Sequence, residues 1–381
     1  MANGQGKEGE PGARLQRLGR FLSVDPDNAA LLRDYANEAW QVREYQACVL
    51  AIERLLTLGQ TVLGDHLMLV RALRQQGQAT QALGRLRGTA ALWPREPAVA
   101  IEAAYCHFAE REFEQALDAL PPPPQGEVAD IDLVARAEGL RVRTLHHLGR
   151  LDDAEEAAGR FESLHGPHAL VQAGVLAVLV DQSKLQQAVQ IAQSLLPAGS
   201  DTQSAPYEVA EALALQALDE QSAERAMHWV DWALARRADD GRIWLLKGLA
   251  LLQSNQREAA IPALERAADL MPTHAGSHLG LGWACLLHGE RARARQAFEA
   301  AAQASPAFAE VYGSLAVLDA TEGHKEAARA HVRRAQGLDR HCASALFALA
   351  LLEGLQDTDI ATLARVVIAR ARGSRPDTRS H

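Results

Sequence analysis

Apolar residues along this chain recur at three- and four-residue intervals, the spacing of one stripe of a helix. No stretch alternates strictly, as a half-buried strand would. Ala275 to Pro306 shows the repeating unit most clearly. Gly282 has no side chain, so a second helix can lie close against the first. Gly289 follows a helical run and suits the left-handed conformation that closes a helix. Ala294, Phe298 and Ala301 then form a new apolar stripe, which Pro306 ends. The pattern predicts a helix–turn–helix of 34 residues, counted to the next equivalent start, that cannot bury its apolar stripe alone.

The same slots return at fixed spacing. One unit upstream they hold Gly248, Ala260, Ala267 and Pro272, with Trp244 four residues before Gly248. One unit downstream they hold Ala316, Gly323, Ala328 and Ala335, with Tyr312 in the place of Trp244. A core alanine of the second helix runs through Ala47, Ala82, Ala116, Ala154, Ala188, Ala226, Ala260, Ala294 and Ala328, in steps of 35, 34, 38, 34, 38, 34, 34 and 34. Gly77, Gly149, Asn255, Gly289 and Gly323 share the turn slot. With the motif W-x2-L-G-x2-Y…A-x3-F…P visible in them, the units resemble tetratricopeptide repeats. The resemblance implies an all-α fold, a right-handed superhelical solenoid of antiparallel helix pairs with nine to ten units over most of the chain.

Taken in order, residues 1–12 are polar and Gly-rich, as in a disordered tail. Ala13 to Val24 reads as a lone second helix. Full units follow at Asn28–Gln60, Leu63–Pro94 and Pro97–Leu120. The run Pro121-Pro122-Pro123-Pro124 cannot be helix interior, and the first spacing insertion falls near 121–132. Ala135–Gly166 is a further unit, and Pro167–Pro197 a weaker one without glycine at its turn. The second insertion, 197–206, divides an N-terminal half, 13–196, from a C-terminal half, 207–371. From Tyr207 the register is regular through Ala335. Ala343–Ala371 is expected to be a decayed last unit with Thr362 in the alanine slot, and 372–381 a disordered tail.

Length alone would suggest two or three domains, but a repeat array grows without needing one larger core. A net charge of −9 argues against a broad nucleic-acid footprint. The longest apolar run, Ala173 to Val180, is far short of a membrane span. No basic and apolar leader pattern opens the sequence, so a cytoplasmic location is expected. Cys48, Cys106, Cys285 and Cys342 form no CxxC pair, and buried free thiols are expected. His274 and His278 have a metal-ligand spacing, but Thr273 and Gly276 place His274 in a loop, and no Glu follows it as H-E-x-x-H requires. No nucleophile elbow or phosphate loop is present. Catalysis, a metal and a cofactor are therefore not expected.

In the family, the first helix of each unit lines the concave surface through its second, fifth, ninth, twelfth and thirteenth positions. In the C-terminal half the resemblance assigns to that surface Leu245, Leu249, Leu252, Leu279, Trp283, Leu286, Leu287 and Phe347. These are large apolar groups, each able to contribute roughly 1.5–3 kcal/mol on burial in a partner. In the N-terminal half it assigns Trp40, Arg71, Arg74, Tyr105, Phe108, Arg136 and Arg143, a mixed aromatic and basic face suited to acidic groups. The competing expectation is that the leucines pack within the fold and the arginines are merely solvated. The K-x3-N and K-x3-R pairs of the family's carboxylate-tail clamp are absent. The expected function is a non-catalytic scaffold that binds a peptide or helix of another protein, with self-association open. A cytoplasmic export or assembly chaperone is the alternative, and an enzyme or RNA-binding protein is disfavoured.

Overall fold

The computed structural model describes residues 12–123, 126, 128–197 and 204–354, and the regular structure among them is entirely helical. Most of the expected tail at 1–12, Pro124, residues 198–203 of the second insertion, the last unit beyond Gly354 with Thr362, and the tail at 372–381 lie outside the described residues. Contacts divide the chain into two compact units, Met1–Val171 and Gln172–His381. The division falls inside a helix and at neither spacing insertion, because helices on both sides of each insertion pack on one another.

The first unit begins with α1 (Ala13–Val24), followed by the pairs α2 (Ala29–Gln41) with α3 (Tyr45–Thr57) and α4 (Leu63–Gln75) with α5 (Ala79–Leu92). Then come α6 (Pro97–Ala109) with α7 (Phe113–Ala119), and α8 (Ile131–His147) with α9 (Leu151–His165). Helix α10 (Ala169–Asp181) carries the boundary. The second unit continues with α11 (Leu185–Ser194), α12 (Val209–Asp219) with α13 (Ala223–Leu234), and α14 (Gly241–Gln253) with α15 (Arg257–Leu270). It is completed by α16 (Ala275–His288) with α17 (Arg291–Ala304), α18 (Ala309–Thr321) with α19 (Lys325–Leu338), and α20 (Ala343–Leu352). Within each unit a helix packs on its sequence neighbours, and successive first helices also touch.

The turn slot explains the regularity. Arg43, Gly77, Arg111, Gly149, Ser183, Gln221, Asn255, Gly289 and Gly323 all have positive φ. In each turn the N–H of the next residue donates to the carbonyl five residues back, as from Gln78 to Leu73 and Glu290 to Cys285. That bond closes the first helix and reverses the chain. Five residues after the slot, Ala82, Ala116, Ala154, Ala188, Ala226, Ala260, Ala294 and Ala328 are completely buried. The first unit corrects the sequence register. Five residues after Arg43 stands Cys48, fully buried, whereas Ala47 is half-buried. Packing at this slot demands only a small apolar group, and a thiol meets that need. All four cysteines are free and buried, and burial pushes Cys48, Cys106 and Cys285 up to about 11 and Cys342 to about 12.

First and second helices approach closely where a glycine faces a large side chain. A Cβ on Gly282 would overlap the Phe298 ring, and one on Gly248 would overlap Leu264. Polar staples link successive first helices. Arg33 of α2 donates to Asp65 of α4 at 3.1–3.2 Å. Arg242 of α14 donates from both amino groups to Asp181 at 2.8 Å and from one to Glu211 of α12 at 3.1 Å. Glu310 of α18 accepts from Ala343 N, Ser344 N and Ser344 Oγ at 3.0, 3.2 and 2.7 Å, capping α20.

Candidate functional site

In the second unit the apolar set is mostly interior. Leu279 and Trp283 on α16 are completely buried, and Leu249 on α14 is nearly so. Trp283 Nε1 donates to Ser314 Oγ of α18 at 3.0 Å, and its ring meets Phe298 edge-on at 5.8 Å. A buried indole with its N–H satisfied is a packing element. Leu245 and Leu286 are buried as well, and only Leu252, Leu287 and Phe347 keep partial exposure. The expectation of a continuous apolar docking strip is corrected for Leu245, Leu249, Leu279, Trp283 and Leu286. Their positions on the first helix also face the neighbouring first helix, and large side chains fill that contact.

In the first unit the predicted residues converge. Arg71 and Arg74 stand one turn apart on α4, Tyr105 and Phe108 one turn apart on α6, and Arg136 and Arg143 on α8. Arg71, Arg74 and Arg136 meet at Glu102, a fully buried carboxylate of α6. Arg71 Nε and Arg136 Nη2 both donate to Glu102 Oε1 at 2.6 Å, while Arg74 Nη2 lies 3.9 Å from Oε2. Burial opposes the charge on Arg136, but the hydrogen bond and charge of Glu102 prevail and hold its pKa above the ordinary value. Glu102 Oε2 and Arg74 Nε are buried without a hydrogen-bond partner.

The Tyr105 ring is the floor of this cluster. The guanidinium carbons of Arg74, Arg136 and Arg143 stand 4.9, 5.7 and 6.0 Å from its centroid, within cation–π range. Tyr105 OH donates to the Arg136 carbonyl at 3.4 Å, and Arg143 donates to Tyr105 OH at 3.4 Å and to Gly139 O at 3.3 Å. One turn further, Phe108 meets Phe113 and His147 edge-on at 5.5 and 5.2 Å, and Phe113 stacks flat on His147 at 4.6 Å. Trp40 is not part of the cluster; it is half-buried on α2 and meets Tyr45 edge-on at 5.4 Å.

Glu102 and Phe113 were missed by reasoning from surface positions alone. The signal for Glu102 was its spacing, 31 residues after Arg71 and 34 before Arg136, with opposite charges one repeat apart. Three guanidinium groups around one carboxylate leave a local positive excess in a partly desolvated setting. Forked N–H donors above an aromatic floor are suited to a carboxylate from outside.

The histidine and acidic groupings elsewhere have structural partners. His274 is the N-cap of α16, its Nδ1 accepting from Ser277 N at 3.1 Å, and burial lowers its pKa to about 4. His278 Nε2 meets Pro272 O at 2.9 Å. Asp319, Glu322 and His324 could place ligand atoms within 4.8 Å of one another. Asp319 is however paired to Arg295 at 2.7 Å and His331 at 2.8 Å, and Arg295 also holds Glu322 at 2.6 Å. No described helix is long and apolar enough to cross a membrane.

The sequence model of a tetratricopeptide repeat family matches residues 67–121 and 245–307. The first match contains Arg71, Arg74, Glu102, Tyr105, Phe108 and Phe113. Among solved structures, a tetratricopeptide repeat protein from Parabacteroides merdae is 15% identical, covering 67% of this chain and 98% of its own, with a TM-score of 0.41. The Cut9–Hcn1 hetero-tetramer of the APC/C is 15% identical, covering 93% of this chain and 82% of that one, with a TM-score of 0.38. MamA is 20% identical over 44% of this chain and 95% of its own, with a TM-score of 0.36. No functionally curated protein matches the chain.

Proposed function

We propose that this chain, which carries tetratricopeptide repeats, is a non-catalytic scaffold that holds an acidic segment of a partner protein over Tyr105. Repeats of this kind generally mediate protein–protein interaction. The observation that carries the reading is the excess of Arg71, Arg74 and Arg136 over the single carboxylate of Glu102, displayed around one aromatic ring. Within that group Arg74 is the residue to contact the partner, since its nearest carboxylate oxygen is 3.9 Å away. Arg71 and Arg136 are already committed to Glu102 and act chiefly by holding the frame.

The test is fluorescence anisotropy with a glutamate-rich peptide beside its glutamine counterpart. The acidic peptide should bind, weaken as salt rises, and lose about tenfold in affinity with Arg74→Ala, the cost of one charge-assisted hydrogen bond. Equal binding of the glutamine peptide would overturn the reading. The alternative, a chaperone that shields an apolar client along the second unit, rests on Leu252, Leu287 and Phe347, since Leu279 and Trp283 face inward. A cytoplasmic setting accords with either reading.

A further inference from the structure

Two adjoining features on the first unit differ in chemistry and share a direction. Along α6, Tyr105 is followed one turn later by Phe108. Along α8, Arg136 and Arg143 are followed by His147, at steps of 7 and 4, on one face of the helix. Arg136 and Arg143 flank Tyr105, and His147 flanks Phe108. A cationic cradle is thus followed, in the same sense on both helices, by an aromatic one made of Phe108, Phe113 and His147. Phe108 and Phe113 are half-buried, and His147 is exposed.

From this we infer that the partner segment is extended and carries an acidic side chain two residues from an aromatic or branched apolar one. The inference rests on the acidic-segment reading above and adds its register. Three residues of helix rise about 4.5 Å. In an extended peptide, neighbouring side chains point to opposite faces, and residues two apart lie on one face at about 6.6 Å. That separation exceeds the rise from Tyr105 to Phe108 by about 2 Å, a difference that side-chain torsions take up. Adjacent residues cannot enter both, and residues four apart, at about 13 Å, overshoot. The acidic group sits among the guanidinium groups over Tyr105. The apolar group covers the edge of the Phe108–Phe113–His147 cluster and removes it from water.

The test uses the full chain and labelled peptides of one composition, a Gly/Ser background with one Glu and one Phe. The two are placed adjacent, two apart in either order, or four apart. One of the two-apart peptides should bind about tenfold tighter than the adjacent and four-apart ones, the value of burying part of a phenyl ring. Phe108→Ala should bring it down to their level, and His147→Ala should do the same in part, with melting curves taken for both variants. Equal affinity at all spacings, with every peptide still weakened by Arg74→Ala, overturns the register and leaves acidic docking standing. If no Glu peptide binds better than its Gln counterpart, both fall together.

Discussion

At the scale of the residue, the nine left-handed turn positions are the most demanding points in the chain, and four of them hold Arg43, Arg111, Ser183 and Gln221. An L-residue there crowds its Cβ against the following carbonyl at a cost of about 1–2 kcal/mol. Arg111→Gly and Gln221→Gly should each stabilise the protein by about 0.5–1 kcal/mol net of glycine's chain entropy, read as a higher melting temperature. A lower one would show that the lost side chains mattered more than the strain. Glycine inside helices has two opposite meanings. Gly84 on α5 faces open space, so Gly84→Ala should stabilise by about 0.4–1 kcal/mol. Gly282→Ala must displace the fully buried Phe298 ring and should cost about 1–3 kcal/mol. An unchanged melting curve for Gly282→Ala would contradict the close approach of α16 and α17. The glycines of the turn slot were legible in the sequence because their residue type announces the conformation. The Arg, Ser and Gln in the same slot carry no such signal and are identified by the fold, and the one register slip, Ala47 for Cys48, came where the residue type alanine was followed in place of the 34-residue spacing from Ala82.

At the scale of the element, the helix pairs could be read from periodicity, since second helices such as α13, α15, α17 and α19 carry one apolar stripe and the turn chemistry marks the helix ends. The charged contacts between successive first helices could not. Arg71 and Arg136 read as concave-face arginines open to a partner or to solvent until the fold brings Glu102 between them. Arg242 is the stronger case, bound to Asp181 and Glu211 together. Burial raises the Glu211 pKa, and the Arg242 charge opposes that rise. Removing the guanidinium lets Glu211 take its proton at a higher pH. A carboxyl raised above its unfolded value favours the fold at low pH and loses that contribution as pH increases. Arg242→Met should therefore destabilise by about 2 kcal/mol near neutrality, with a larger deficit at about pH 8 than at about pH 5. Urea titrations at the two pH values decide this, and a deficit independent of pH would remove Glu211 from the account.

At the scale of the whole molecule, an array of repeats joined by nearest-neighbour contacts need not unfold in one step. The tryptophans make this measurable, because Trp229, Trp232, Trp244 and Trp283 lie in Gln172–His381, and Trp40 and Trp93 in Met1–Val171. In a Trp40→Phe/Trp93→Phe background, fluorescence reports the second unit and far-UV dichroism reports both. The two denaturation curves should not superimpose, and adding Arg242→Met should shift the fluorescence curve more. Superimposable curves that move together would show a single cooperative transition. The sequence also assigned a surface at this scale, and there it was least reliable. A first-helix position faces outward and sideways at once, so Leu279 and Trp283 could serve a partner or the next helix, and side-chain volume decided for the helix.

The four buried thiols have a kinetic consequence. Each lies near a different helix junction, and each is held in its unreactive protonated form until its surroundings open. Alkylation in native buffer, followed site by site with mass spectrometry, therefore times the opening of four separate places along the chain. Cys285, with described helix pairs on both sides, should be among the slowest to be modified. Modification of all four at one rate would mean that the repeats let go together.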